Sequence, residues 1–102
     1  LKLHAGDAIT GSLYYTFFKG AADAQMMNTI CFDAFTLGNH EFDDGDAVTA
    51  SFLDELAKGS CATPTSTLSA NVVPQLGTPL APSASKTYLK PYTVKTIDGV
   101  TA

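Results

Sequence analysis

The sequence predicts an α/β fold built on a parallel sheet, ordered strand–helix–strand–helix–strand. Three observations carry that expectation. Short apolar stretches at 1–5, 33–37 and 67–73 each run into a polar turn. Two stretches between them show helical periodicity. Each interval is also long enough for the crossover that a parallel pair needs.

Leu1–Ala5 reads as the first strand, closed by Gly6-Asp7. After a turn at Thr10-Gly11-Ser12 come Tyr14, Tyr15, Phe17 and Phe18, whose crowding suits packing between this strand and the next helix. Beyond Gly20, Ala24, Met27 and Cys31 recur at i, i+3, i+7, the stripe of a helix. Asp33–Leu37 is short, apolar and ends at Gly38, as a buried strand does. Asp44-Gly45-Asp46 offers capping groups to a second helix, with Val48, Phe52 and Leu56 on one stripe and Lys58-Gly59 at its close. Thr67–Val73 supplies the third strand. All five prolines fall between Gly59 and Pro91, a region of loops on either side of that strand. Tyr92–Ile97 and Gly99–Ala102 read as a hairpin.

With 102 residues, 45% of them hydrophobic and 16% charged, the chain holds one domain at most and has apolar surface enough for a core. Residue 1 is Leu, and both ends fall inside apparent strands, so residues 1–102 read as a domain truncated at both ends. The net charge is −4 and every basic residue is Lys, so nucleic acid is a poor partner. No apolar run reaches the ~20 residues that cross a bilayer. Cys31, in Ile30-Cys31-Phe32, reads as a small buried hydrophobe, and Cys61, among Gly, Ser, Thr and Pro, as exposed. Whether they pair stays open.

Two polar clusters follow the first two strands, where ligands collect in parallel sheets. Gly6-Asp7 is a common turn pair, and equally a carboxylate able to bind a divalent ion. Gly38-Asn39-His40-Glu41-Phe42-Asp43 sets an amide, an imidazole and two carboxylates within one loop, which suits either helix capping or metal-assisted acid–base chemistry. His4 stands three residues before Asp7 and is expected to be a structural, at least partly buried residue.

Together these clusters resemble the calcineurin-like metallophosphoesterase pattern. Leu3-His-Ala-Gly-Asp-Ala-Ile-Thr-Gly-Ser12, Phe18-Lys-Gly20, Met27-Asn28 and Leu37-Gly-Asn-His-Glu-Phe-Asp43 resemble the 5′-nucleotidase family within it, as do Ser69-Ala-Asn-Val72 and Tyr88-Leu-Lys-Pro-Tyr92. The resemblance implies part of a four-layer αββα metallophosphoesterase sandwich. It implies a metal-dependent phosphatase that hydrolyses nucleoside 5′-monophosphates with two divalent ions (Zn, Mn or similar). Residue by residue, it makes Asp7 the bridging metal ligand and Asn39 a ligand of the second metal that also meets substrate. It makes His40 the catalytic imidazole on the phosphate and Asp43 the carboxylate that orients it. Glu41 belongs to the motif but is not expected to take part directly. The family's other ligands fall outside residues 1–102, so these residues alone are expected to be inactive. Asp43 favours a 5′-nucleotidase over the alternative, a 2′,3′-cyclic-nucleotide phosphodiesterase/3′-nucleotidase. A non-catalytic remnant acting as a binding module is the alternative of another class. Localisation implied by the family is periplasmic, extracellular or cell-surface.

Overall fold

A computed structural model describes all 102 residues. Strands β1 (Leu3–His4), β2 (Ala34–Thr36) and β3 (Ser66–Leu68) form a parallel sheet in the order β1-β2-β3. Leu3 pairs with Ala34 and His4 with Phe35; Ala34, Phe35 and Thr36 pair in turn with Ser66, Thr67 and Leu68. Because the strands run parallel, the loops after β1 and β2 leave the sheet at the same edge. The mixed α/β architecture therefore follows the expected strand–helix–strand–helix–strand order.

Helices α1 (Leu13–Phe18), α2 (Ala21–Ile30) and α3 (Asp46–Leu56) fill the crossovers. The Ser12 hydroxyl caps α1, accepting the Tyr15 N–H at 3.2 Å. Lys19 ends it in the left-handed region, and Gly20, at φ +88°, starts α2 with Phe52 and Ile9 closing over it. A side chain at Gly20 would crowd both neighbours. Helices α2 and α3 pack together around Ala24, Met27, Ala50, Phe52, Leu53 and Leu56. Phe35 from β2 joins this core edge-on to Phe52, at a ring separation of 5.8 Å.

Four local features differ from the sequence reading. The aromatic run forms a helix of its own. Only Tyr15 turns into the core; Tyr14, Phe17 and Phe18 are exposed, because a six-residue helix buries one face. The N-cap of α3 is Gly45 and makes no side-chain capping bond, since the Asp44 carboxylate is engaged by Tyr15 and Lys19. β3 begins one residue early and ends at Leu68. Beyond it Lys90 takes up the outer edge, accepting the Ser69 N–H and donating to the Thr67 carbonyl. The C-terminal hairpin, β4 (Thr96–Ile97) with β5 (Val100–Thr101), is shorter than expected, and turns through Asp98-Gly99 with both residues at positive φ.

Cys31 and Cys61 are joined in a disulfide, with Cα atoms 5.7 Å apart. The bond ties the end of α2 to the segment that leads into β3. Both cysteines are half-buried, where Cys31 was expected buried and Cys61 exposed.

Candidate active site

The site is assembled from two loops, Gly6–Ile9 after β1 and Gly38–Asp43 after β2. They approach so closely that a side chain on either glycine would collide with the opposite backbone. A Cβ on Gly6 would lie 2.5 Å from the Gly38 nitrogen, and one on Gly38 would lie 2.6 Å from the Asp7 nitrogen. Gly6 (φ +100°) and Asp7 (φ +55°) both take left-handed conformations, which turn the first loop back across the second.

Glu41 holds the two loops together. Its side chain is buried, at 1% exposure. One carboxylate oxygen accepts the Asp7 N–H at 2.9 Å and the Gly38 N–H at 2.5 Å; the other accepts the Ala8 N–H at 2.6 Å. The Thr49 hydroxyl of α3 donates to the Glu41 carbonyl. A buried carboxylate needs such donors, and here they are the backbone of the Asp7 loop itself. The His40 N–H adds a further tie, donating to Asp7 Oδ1 at 3.1 Å. Sequence reasoning set Glu41 aside as a direct participant and missed its structural role.

Asp7, Asn39, His40 and Asp43 all lie exposed on this shared edge. His40 Nδ1 is 2.8 Å from Asp43 Oδ2. That hydrogen bond, with the charges of Asp43, Asp7 and Glu41, raises the imidazole pKa above its ordinary value and favours its cationic form. With Nδ1 engaged by Asp43, Nε2 has no hydrogen-bond partner within the chain. Neither Asp7 Oδ2 nor the Asn39 carboxamide bonds to another protein group. These are hard oxygen donors of the kind divalent cations take, so their chemistry fits a metal ion. They amount to a share of a site: no group of three or more His, Cys, Asp or Glu side chains converges here. His4 stands apart from this set. It packs edge-on to Phe32 at 5.2 Å and tilted to Phe35 at 5.5 Å, the structural role expected of it.

One residue further on, Asp44 accepts the Tyr15 hydroxyl at 2.8 Å and pairs with Lys19 at 2.9 Å. The Lys19 and Tyr15 hydrogen bonds hold the Asp44 carboxyl below its ordinary pKa. Burial, reinforced by Asp44, pushes the Tyr15 phenol up to about 12. Neither Tyr15 nor Lys19 stood out in the sequence as part of the site.

No protein-family model matches the chain. Individual proteins do. The NAD 5′-nucleotidase of Haemophilus influenzae is 46% identical over 99 residues, which is 97% of this chain and 14% of that protein. A probable 5′-nucleotidase of Treponema pallidum is 51% identical over 80 residues, 78% of this chain and 12% of that protein. The 5′-nucleotidase of Rattus norvegicus is 39% identical over 99 residues, 97% of this chain and 16% of that protein. The solved structure of the Haemophilus influenzae NAD nucleotidase superposes with a TM-score of 0.82 over 99% of this chain and 18% of its own, at 46% identity. The chain thus spans about one seventh of the curated relatives it matches. Sequence and fold agree along nearly its whole length: the chain belongs to the 5′-nucleotidase family of metallophosphoesterases, corresponding to a segment of such a protein.

Proposed function

We propose that these residues carry the phosphate-facing imidazole and part of the metal-ligand set of a larger nucleotidase. That enzyme hydrolyses nucleoside 5′-monophosphates, taking up one water and releasing nucleoside and inorganic phosphate. The observation that carries this reading is the 2.8 Å His40–Asp43 pair, set on the same sheet edge as Asp7 and Asn39. A loop kept only to cap a helix, or a module kept only for binding, has no use for an imidazole paired with a carboxylate beside two unbonded oxygen donors.

In this scheme Asp7 and Asn39 would hold divalent ions, with the remaining ligands supplied by the rest of the polypeptide. When bound, such a pair of ions polarises the phosphoryl group and lowers the pKa of water. The protein's own contribution is positional. Asp43 fixes the ring of His40, and Nε2–H then meets a phosphoryl or leaving-group oxygen as negative charge grows on it. Glu41 fixes Asp7 against the His40 loop. The relatives' names support a nucleotide substrate, and the presence of Asp43 favours the 5′-monophosphate over a 2′,3′-cyclic nucleotide. The Cys31–Cys61 disulfide supports an oxidising compartment, in keeping with a periplasmic, extracellular or cell-surface setting. The uncovered sheet face, lined by Leu3, Ala34 and Leu68, suits a second sheet of the αββα sandwich.

The test is phosphate release by the full-length protein from AMP and from 2′,3′-cyclic AMP, with Mn²⁺ or Zn²⁺ added. Wild-type protein should turn over AMP, and His40→Ala should lower kcat by roughly 10²–10³-fold. Asp7→Asn should lower bound metal, read by elemental analysis. Absence of release from AMP in the metal-loaded protein, or a His40→Ala variant as active as wild type, would defeat the reading.

A further inference from the structure

We propose that Tyr15 and Lys19 are positioning residues for the His40–Asp43 pair, acting on it through Asp44. The inference rests on the nucleotidase reading for its activity readout, and on geometry alone for the rest. Asp43 must present its Oδ2 to His40 at 2.8 Å although both residues are exposed. An exposed pair of this kind holds itself in place weakly, so some other contact has to fix the backbone from which Asp43 projects. The 3₁₀ turn His40–Phe42 supplies part of this, through the Asp43 N–H bonded to the His40 carbonyl at 3.3 Å. The following residue supplies the rest. Asp44 is tied from α1 by two donors on one oxygen, the Tyr15 hydroxyl and the Lys19 ammonium.

Tyr15 is suited to this task. It is the one aromatic of its cluster that is buried, at 7% exposure, and it belongs to the hydrophobic core. The anchor is therefore rigid at one end and reaches the loop at the other. α1 also follows directly from the Asp7 loop through its Ser12 cap. One short helix is thus coupled to both halves of the site, to Asp7 through the chain and to His40 through Asp44. Phenol burial and the Asp44 contact keep Tyr15 protonated, and so a donor, across the whole physiological range. Lys19 strengthens the tie with charge and also lies over the Tyr15 ring, 5.1 Å from its centroid.

The experiment uses the full-length protein and reads two independent signals. The first is kinetic. Tyr15→Phe should lower kcat for phosphate release from AMP roughly ten-fold while KM stays within about two-fold, as expected for a misplaced catalytic group. Asp44→Ala should do the same, and the double variant should be no worse than Asp44→Ala. Asp44→Asn, whose amide oxygen still accepts both donors, should recover most of the activity. The second signal is the NMR resonance of the His40 Nδ1 proton, assigned by its loss in His40→Gln. It should be sharp and downfield in wild type and exchange-broadened in Tyr15→Phe. A Tyr15→Phe variant that is less stable yet keeps wild-type kcat and an unchanged His40 resonance makes Tyr15 structural only and overturns the proposal. Losses that multiply in the double variant overturn it too. Should the wild-type protein release no phosphate, the nucleotidase reading fails, and the His40 resonance still decides the positioning role.

Discussion

At Glu41 a single carboxylate meets three backbone N–H groups from two loops, and Thr49 grips the carbonyl of the same residue. Replacing it by Gln keeps the volume but puts an NH₂ group where an acceptor stood, so at least one of the three donors faces another donor. We expect Glu41→Gln to cost the full-length protein about 2 kcal/mol, the scale of one or two orphaned polar groups. The same substitution should weaken metal binding, because the Asp7 backbone is held by that carboxylate. Urea titrations of the two proteins, with metal content measured alongside, check both effects; an unchanged midpoint would show that water replaces the lost acceptor. Only part of the candidate site is legible in the sequence. Asp7, Asn39, His40 and Asp43 are chemistry-bearing types at strand ends, and their spacing alone brings them to notice. Glu41 sits between two of them and has the same composition as a ligand or a solvated charge. Its burial depends on where β1 delivers its loop, a contact between residues more than thirty apart, and no local pattern encodes that.

Elements were legible where periodicity and burial agree. α2 and α3 each bury one stripe, and the three parallel strands are apolar segments ended by Gly or polar residues; all five are expected from the sequence, although β3 stops at Leu68 rather than Val73. α1 was not, because its six residues are too few to show a period, and three of its four aromatics face outward. Cys31 and Cys61 were legible as residues but not as a pair. Their encounter depends on α2 ending beside the segment that enters β3, with the whole β2–α3 unit in between. The disulfide closes a loop of 30 residues that contains Asn39, His40 and Asp43. Chain-entropy arguments assign such a closure about 3–4 kcal/mol, mostly by restricting the unfolded state. The double substitution Cys31→Ser with Cys61→Ser should therefore lower the unfolding free energy of this region by that order. Dithiothreitol should reproduce the loss in wild type and have no effect in the variant. Equal denaturation midpoints with and without reductant would mean that the crossover is held by packing alone.

For the molecule as a whole, surface area is the telling quantity. A compact monomer of 10.7 kDa exposes about 5,500 Å², whereas this chain exposes 6353 Å². Its radius of gyration of 13.6 Å likewise exceeds the roughly 12.8 Å of a compact domain of this length. Large hydrophobic side chains stand exposed along the chain. Leu1, Leu3, Ile97 and Val100 lie exposed around an open groove on the sheet face away from α2 and α3, and Leu13, Tyr14 and Phe17 stand out on α1. Against this stand 10 clustered core residues and one disulfide. The core is centred on the α2–α3 side, so one side of the sheet is packed and the other is not. β1 and β3 also present free edges, the second guarded only by the Leu68–Lys90 bridge. Produced alone, residues 1–102 should therefore be marginally stable and self-associating, with the open face driving aggregation. Size-exclusion chromatography with light scattering, together with a thermal melt followed by circular dichroism, distinguishes the outcomes. Oligomers and a broad, low-temperature transition are expected. A monomer with a sharp transition at high temperature would show that the α2–α3 core and the disulfide suffice without any cover on the sheet, and would argue against a second layer over that face.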